Sequence, residues 1–275
     1  MKKLALLFVL LNVARADDFF MATEEVNLDK FRDSEVNKKY AEVCDNHGIG
    51  IDVELITIKT NRPALNEQLA KNISSEESLI KSFSDELLED LKDKKNFQNE
   101  DGSSSVSRCS YANHQRLSYR GRHGGLEMFQ LSFSEYAGGA HGMYGDSFFL
   151  FDKDARQIKL ADLLASPDKD REVLRLLFIK ERLREKGNEK INGGQYGEEN
   201  LSAAEIAQLR AAPIDDKQLA AAKDKLLNEN IYFNEQGLVF SYPPYALGSF
   251  AEGQIEYLLP YGQLKGLLKE EYLAH

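Results

Sequence analysis

Short segments in which apolar and polar residues alternate recur along the chain, and this spacing predicts β-strands. The first is 49–58, where apolar side chains from Ile49 to Leu55 fall on one face and acidic side chains on the other. Other short apolar segments predict strands at 115–120, 126–134, 147–151, 157–160, 231–233, 238–242 and 255–259. The turn sequence at 152–154 predicts that the strands 147–151 and 157–160 form a hairpin.

Other segments place apolar residues at intervals of three or four, which predicts helices with one buried face. These helices are expected from Pro63 to Ile73, over 74–91, over 170–186, from Ser202 to Pro213, from Asp215 or Asp216 to Asn228, and over 261–272. Because strands and helices mix without a regular βαβ alternation, the sequence predicts an α+β fold. We expect antiparallel sheets with packed helices, in two closely associated subdomains over 17–125 and 126–275.

The first sixteen residues have the parts of a secretory signal peptide. A positive start, 1–3, precedes an apolar run, 4–13, and a small-x-small site that ends at Ala16. This run is shorter than the ~20 residues that a membrane-spanning helix needs; the alternative is a short N-terminal anchor. We therefore predict a signal peptide over 1–16 and a mature protein that is periplasmic or secreted, with no stable membrane span.

The net charge of the chain disfavours acidic partners and favours basic ones. The formal net charge is −10, from 35 Lys+Arg against 45 Asp+Glu. Cleavage after Ala16 would remove Lys2, Lys3 and Arg15 and leave a mature charge of −13. Nucleic acid is excluded as a partner, because phosphate binding needs clustered cations. A basic protein is the better expectation.

The chain has two cysteines, Cys44 and Cys109. Export would place them in an oxidising compartment, which favours a disulfide between them. The alternative is a pair of buried, reduced and inert thiols. Two cysteines without a CxxC spacing make a zinc site improbable, and we expect no metal and no cofactor.

Two patches carry the candidate chemistry. His141 follows Gly138 and Gly139, so its loop permits positive φ and close backbone approach. The side chain of His141 is either catalytic or ligand-contacting, or it holds the shape of a turn. The second patch is Tyr-Pro-Pro-Tyr at 242–245, where exposed tyrosines would anchor an interface and buried ones would pack the turn. No nucleophile elbow, phosphate loop or dinucleotide motif is present.

These patches resemble the C-terminal domain family of RsiV, the membrane anti-sigma factor that senses lysozyme. The similar segments are 136–142, 148–151, 158–164, 233–245, 251–253 and 259–261. The resemblance implies an α+β extracytoplasmic module over 126–275, which in RsiV binds lysozyme. The sigma-binding and transmembrane parts are missing from this sequence, so an anti-sigma role is not expected.

Two functions follow as hypotheses. The first is an exported binding module of the bacterial cell envelope, whose ligand is lysozyme or a cell-wall component such as peptidoglycan. Its expected contact residues are Gly138, Gly139, His141, Tyr144, Tyr242, Pro244 and Tyr245. The second is a periplasmic hydrolase that acts on peptidoglycan or glycans with His141 as acid or base.

Overall fold

The computed structural model describes residues 22–25, 35–44, 50–75, 109–137, 141–190 and 198–273, with isolated positions between 78 and 95. The predicted signal peptide, 1–16, lies outside these residues. The strands are β1 Ala22–Glu25, β2 Gly50–Lys59, β3 Ser110–His123, β4 Leu126–Tyr136, β5 Met143–Phe151, β6 Gln157–Ile158, β7 Ile231–Phe233, β8 Gly237–Tyr242 and β9 Ile255–Pro260. The helices are α1 Glu35–Ala41, α2 Pro63–Ala70, α3 Leu160–Leu163, α4 Asp170–Glu189, α5 Ala203–Ala211, α6 Asp216–Leu226 and α7 Tyr261–Leu264.

The α+β prediction is confirmed, with two sheets among the described residues. The larger sheet has the order β1-β2-β3-β4-β5-β6, and the smaller has the order β7-β8-β9. One pair differs from the expected antiparallel pattern, because β2 and β3 run parallel. A parallel pair needs a long crossover connection, and residues 60–109, which include α2, supply it. The larger sheet also crosses the proposed boundary at residue 125, since β3 and β4 are antiparallel partners.

One face of the larger sheet packs against α2. Alternate residues of β4 point to this face, and Phe129 and Leu131 meet Leu65 and Leu69 of the helix there. The period of two along β4 therefore creates this small core. It ends toward Tyr136, where the cross-strand pairs of β3 and β4 become polar.

The other face of the larger sheet, the smaller sheet and the helices α4 and α6 enclose the main core. Its most buried members include Leu126, Leu150, Leu163, Val173, Leu177, Leu226, Phe240 and Leu259. Ser202 and Asp215 are the N-caps of α5 and α6, at the positions where these helices are predicted to begin. The predicted core face of α4 is confirmed at Val173, Leu174 and Leu177.

Side chains join the two sheets at the edge of β5. The backbone N–H of Phe148 donates to Asn230 Oδ1 at 2.7 Å, and Asn230 Nδ2 donates to the carbonyl of Asp146 at 2.8 Å. The N–H of Asp146 donates to Gln254 Oε1 at 2.9 Å. These amides satisfy the edge groups that a neighbouring strand would otherwise pair, and they hold the smaller sheet beside β5.

The expected C-terminal helix over 261–272 is wrong in its length. The helix α7 ends at Leu264, and Gly266 adopts a φ of +73°. A residue in this left-handed region ends the helix. The chain then turns so that Leu268 forms a bridge with Leu164.

The predicted disulfide is confirmed between Cys44 and Cys109. Cys44 follows α1, and Cys109 immediately precedes β3. A disulfide fits a location outside the cytoplasm. Among the described helices, none has the length and apolar character needed to cross a membrane.

Candidate functional site

Four aromatic side chains from two distant segments meet at one surface, and we call them the aromatic cluster: His141, Tyr144, Tyr245 and Phe250. The first two lie just before and within β5, and the other two lie in the connection between β8 and β9. Their ring centroids are 4.0 Å apart for His141 and Phe250, 5.6 Å for Tyr245 and Phe250, and 5.7 Å for Tyr144 and Phe250. Phe250 is therefore the centre of the cluster.

The imidazole of His141 is held by a stack and two hydrogen bonds. Its ring stacks on Phe250 at an interplanar angle of 16°. Its Nδ1 lies 3.1 Å from the carbonyl of Gly142, and its Nε2 lies 3.1 Å from the Tyr245 hydroxyl. Because a carbonyl oxygen only accepts, Nδ1–H donates to Gly142, while Nε2 and the Tyr245 hydroxyl share the second hydrogen bond. Within the described residues, neither ring nitrogen hydrogen bonds a carboxylate.

The aromatic cluster is open to solvent. Tyr245 is 54% exposed, and Tyr144 and its neighbour Met143 are each 40% exposed. Exposed apolar side chains that are contiguous mark interaction sites more often than isolated ones do. The cluster thus offers aromatic area together with two hydrogen-bonding groups, the Tyr245 hydroxyl and the imidazole.

A buried ion network supports the cluster from below. Glu252 ends the single turn Phe250–Glu252, and its Oε1 accepts from the N–H of Ser249 at 2.9 Å. Its Oε2 accepts from Arg184 and, at 2.8 Å, from Asn188, both on α4. The position of Phe250 is therefore tied to the longest helix of the described residues.

The second predicted patch, 242–245, is buried in part. Tyr242 is 1% exposed, and its hydroxyl donates to the carbonyl of Leu226 at 2.7 Å. Burial raises the pKa of Tyr242, and Pro244 is also buried. Tyr242, at the end of the central strand β8, and Pro244 therefore support the turn, whereas Tyr245 is exposed to a partner.

The structure describes only part of the first predicted patch. His141 and Tyr144 are exposed and belong to the cluster, whereas Gly138 and Gly139 lie outside the described residues. Phe250 was missed from the sequence, because an isolated aromatic residue in a connection has no periodicity that reveals it. The described residues contain no group of three or more His, Cys, Asp or Glu side chains that could hold an ion.

We predict that Gly142→Ala displaces His141 from Phe250. A Cβ at residue 142 would lie 2.4 Å from the carbonyl oxygen of Glu135, so the backbone must move. The expected loss of stability is about 1–3 kcal/mol, measured by urea unfolding. The matched control is Gly262→Ala, where an added Cβ meets nothing within 4 Å. Equal losses in the two variants would contradict the prediction.

Sequence composition around the cluster is also distinctive. The segments 123–152 and 226–264, which supply all four aromatic residues, contain no Lys or Arg. Each segment contains four acidic residues. In the ion network beneath the cluster, the cation that contacts Glu252 is Arg184 of α4. The two segments that form the cluster are therefore neutral to acidic.

Comparison with known proteins places the fold. Among curated proteins, no match is found. A DUF3298 family protein from Pseudomonas aeruginosa PAO1 has a similar structure, with 16% sequence identity and a TM-score of 0.54 over 93% of this chain and 97% of that chain. A member of the same family from Bacteroides fragilis has 17% identity and a TM-score of 0.51 over 92% and 93% of the two chains. Residues 161–262, which include Tyr245 and Phe250, match the DUF3298 family, whose description is a protein of unknown function.

Proposed function

We propose that this protein is an exported binding module of the bacterial cell envelope, that the aromatic cluster is its contact surface, and that its ligand is a basic protein such as lysozyme. The observation that carries the proposal is the exposed packing of His141, Tyr144 and Tyr245 around Phe250. The resemblance to the RsiV domain family, which stays a prediction, supplies the candidate ligand.

Aromatic side chains favour a role in binding. Tyrosines give large contact area at low cost in conformational entropy, and they are enriched among the residues that dominate protein interfaces. The hydrogen bond between Tyr245 and His141 restrains both side chains before a partner arrives. Such preorganisation reduces the entropy lost on binding.

The charge favours a basic partner. The chain carries −10, and the two segments that form the cluster contribute acids without any Lys or Arg. Opposite net charges accelerate encounter and suppress wrong partners, and their effect falls as salt screens them. The affinity should therefore decrease as the ionic strength rises.

The alternative function, a periplasmic hydrolase with His141 as acid or base, has less support. Both ring nitrogens already have partners, Gly142 and Tyr245. A histidine that acts as a base is commonly oriented by a carboxylate within hydrogen-bond reach, and the described residues place no carboxylate there, while the hydroxyl that contacts His141 belongs to Tyr245. Binding is therefore the better proposal.

The test is calorimetric titration of the mature protein with lysozyme, and separately its co-sedimentation with purified peptidoglycan. We expect lysozyme binding to be salt-sensitive and to weaken at least about 10-fold in Tyr245→Ala, as is usual for an interface anchor. Tyr245→Phe should retain most of the affinity, because it keeps the ring and loses only the hydroxyl.

The control for a nonspecific apolar effect is Leu88→Ala. Leu88 is 40% exposed, like Tyr144, and is not part of the cluster. Wild-type protein that binds no lysozyme at low salt would overturn the lysozyme proposal. Retention on peptidoglycan alone would redirect it to a cell-wall ligand, and release of soluble fragments from peptidoglycan would favour the hydrolase.

A further inference from the structure

A polar cavity of about 390 Å³ opens on the face of the larger sheet that packs against α2. Its floor is formed by β3 and β4, and its wall by residues 71–74, which follow α2. Its volume falls within the range of small-molecule sites. The cavity shares none of its lining residues with the aromatic cluster, although one of them, Ser134, is the cross-strand partner of Tyr144.

The floor of the cavity is a ladder of cross-strand pairs that changes from apolar to polar. Leu117 faces Leu131, and both belong to the core under α2. The next pair on the same face is Gln115 with Phe133, and the pair after it is Asn113 with Glu135. Directly opposite side chains lie close together. Gln115 therefore lies beside Phe133, and the polar pair of Asn113 and Glu135 lies next to that pair along the strands.

Hydrogen bonds fix the orientation of the amides. Gln115 Nε2 donates to Ser74 Oγ at 3.1 Å and to Asn113 Oδ1 at 3.3 Å, while Gln115 Oε1 accepts from the N–H of Ser74. The oxygen of Asn113 is therefore occupied. Its Nδ2 has no hydrogen-bond partner among the described residues, although Asn113 is only 8% exposed.

A matching acceptor lies opposite this donor. Glu135 Oε1 accepts from the Tyr111 hydroxyl at 2.9 Å. Its second oxygen, Oε2, has no partner among the described residues. The register thus sets one free amide donor beside one free carboxylate acceptor, with Leu131 and Phe133 as the adjacent apolar surface.

We infer that this cavity binds a neutral acetamido sugar, an N-acetylhexosamine unit. The acetamido carbonyl would accept from Asn113 Nδ2, its N–H would donate to Glu135 Oε2, and its methyl group would contact Leu131 and Phe133. Ser74 and Asn72, which also line the cavity, offer groups for the sugar hydroxyls. Lys71 and Glu135 both line the cavity and their charges offset each other, which favours a neutral ligand, and the unpaired amide disfavours a purely apolar one.

The test is titration with the trisaccharide chitotriose, monitored by calorimetry and by the side-chain amide resonances of ¹⁵N-labelled protein. Cellotriose is the matched ligand control, because it has the same linkage and lacks the acetamido groups. We expect chitotriose to bind and to shift the Asn113 side-chain amide, and cellotriose to do neither at about 10 mM, a concentration well above the Kd of a millimolar site.

Two near-isosteric variants test the donor and the acceptor. Asn113→Asp replaces the free donor with an acceptor, and Glu135→Gln allows a donor at the free acceptor position while keeping an oxygen for Tyr111. Asn113→Asp should weaken chitotriose binding about 10-fold, because Asn113 is buried, and Glu135→Gln should weaken it less, because Glu135 is exposed. Tyr245→Ala should leave it unchanged, and Glu135→Gln should leave lysozyme binding unchanged.

Three results would overturn the inference. These are no chitotriose binding to the wild type, equal binding of cellotriose, or equal binding of the dipeptide mimic N-acetylalanine methylamide, which carries the amide without the sugar. Since wild-type binding and the Asn113 resonance are measured directly, a variant that fails to fold does not remove the test. Failure of the lysozyme proposal does not affect it, because the readouts and the residues are different.

Discussion

Replacing Arg184 with methionine is expected to lower the free energy of unfolding by about 3 kcal/mol, which is the lower end of the cost of breaking a buried ion pair. The side chain of Arg184 is 13% exposed and contacts the carboxylates of Glu181 and Glu252, which are 7% and 20% exposed. It also donates to the carbonyl of Leu247 at 2.9 Å. The measurement is urea unfolding followed by circular dichroism.

The size of this effect comes from the groups that the substitution leaves behind. Glu181 would stay buried with Lys225 as its remaining cation, at 3.0 Å. Glu252 would lose the guanidinium that ties Phe250 to α4. We therefore expect Arg184→Met to weaken ligand binding at the aromatic cluster as well as stability, although Arg184 lies beneath the contact surface.

The matched control is Arg171→Met on the same helix. Arg171 pairs with Asp216, but their side chains are 58% and 80% exposed, and exposed pairs contribute about 0–1 kcal/mol. Similar losses in the two variants would show that arginine content, rather than burial of the network, determines stability.

The same network makes stability depend on acid. Burial alone would raise the pKa of Glu181, but hydrogen bonds from Arg184, Tyr257 and Lys225 outweigh it and hold the pKa below its ordinary value of 4.5. A carboxyl group with a lowered pKa stabilises the fold fully above the unfolded value. Its contribution is lost as the pH falls through the lower folded value, so wild-type stability should decline below about pH 4.5, and that of Arg184→Met less steeply.

Local patterns were sufficient to predict most elements of this fold. The alternation over 49–58 predicts β2 within one residue at each end, and the capping residues Ser202 and Asp215 mark the predicted starts of α5 and α6. These features depend on neighbours in sequence. The parallel pairing of β2 with β3 and the end of α7 depend on tertiary contacts, namely a crossover and the bridge of Leu268 with Leu164.

The candidate site shows the same division. The glycines around His141 and the Tyr-Pro-Pro-Tyr turn drew attention to both halves of the aromatic cluster. Their meeting could not be predicted, because the hydrogen bond between Tyr245 and His141 joins residues 104 positions apart. Composition also could not show which tyrosine of the turn is exposed. Tyr242 is buried because β8 lies between β7 and β9, and this arrangement is a property of the fold.

Loss of the disulfide is expected to have the largest effect on stability. Cys44 and Cys109 are separated by 65 residues, and closing a loop of this length stabilises the fold by about 4 kcal/mol in the chain-entropy model. The loop contains β2 and α2, so the bridge restrains the crossover that allows β2 to lie parallel to β3. The Cys44→Ser, Cys109→Ser double variant should unfold at a correspondingly lower urea concentration than the oxidised wild type.

The reduced wild type separates the covalent bond from the effect of the serines. Dithiothreitol should lower the unfolding midpoint of the wild type to near that of the double variant and leave the double variant unchanged. Because Cys109 immediately precedes β3, whose Asn113 lies in the cavity, reduction should also weaken chitotriose binding more than lysozyme binding. An unfolding midpoint that does not respond to the reductant would mean that residues 45–108 are restrained by packing alone, and the entropic argument would fail.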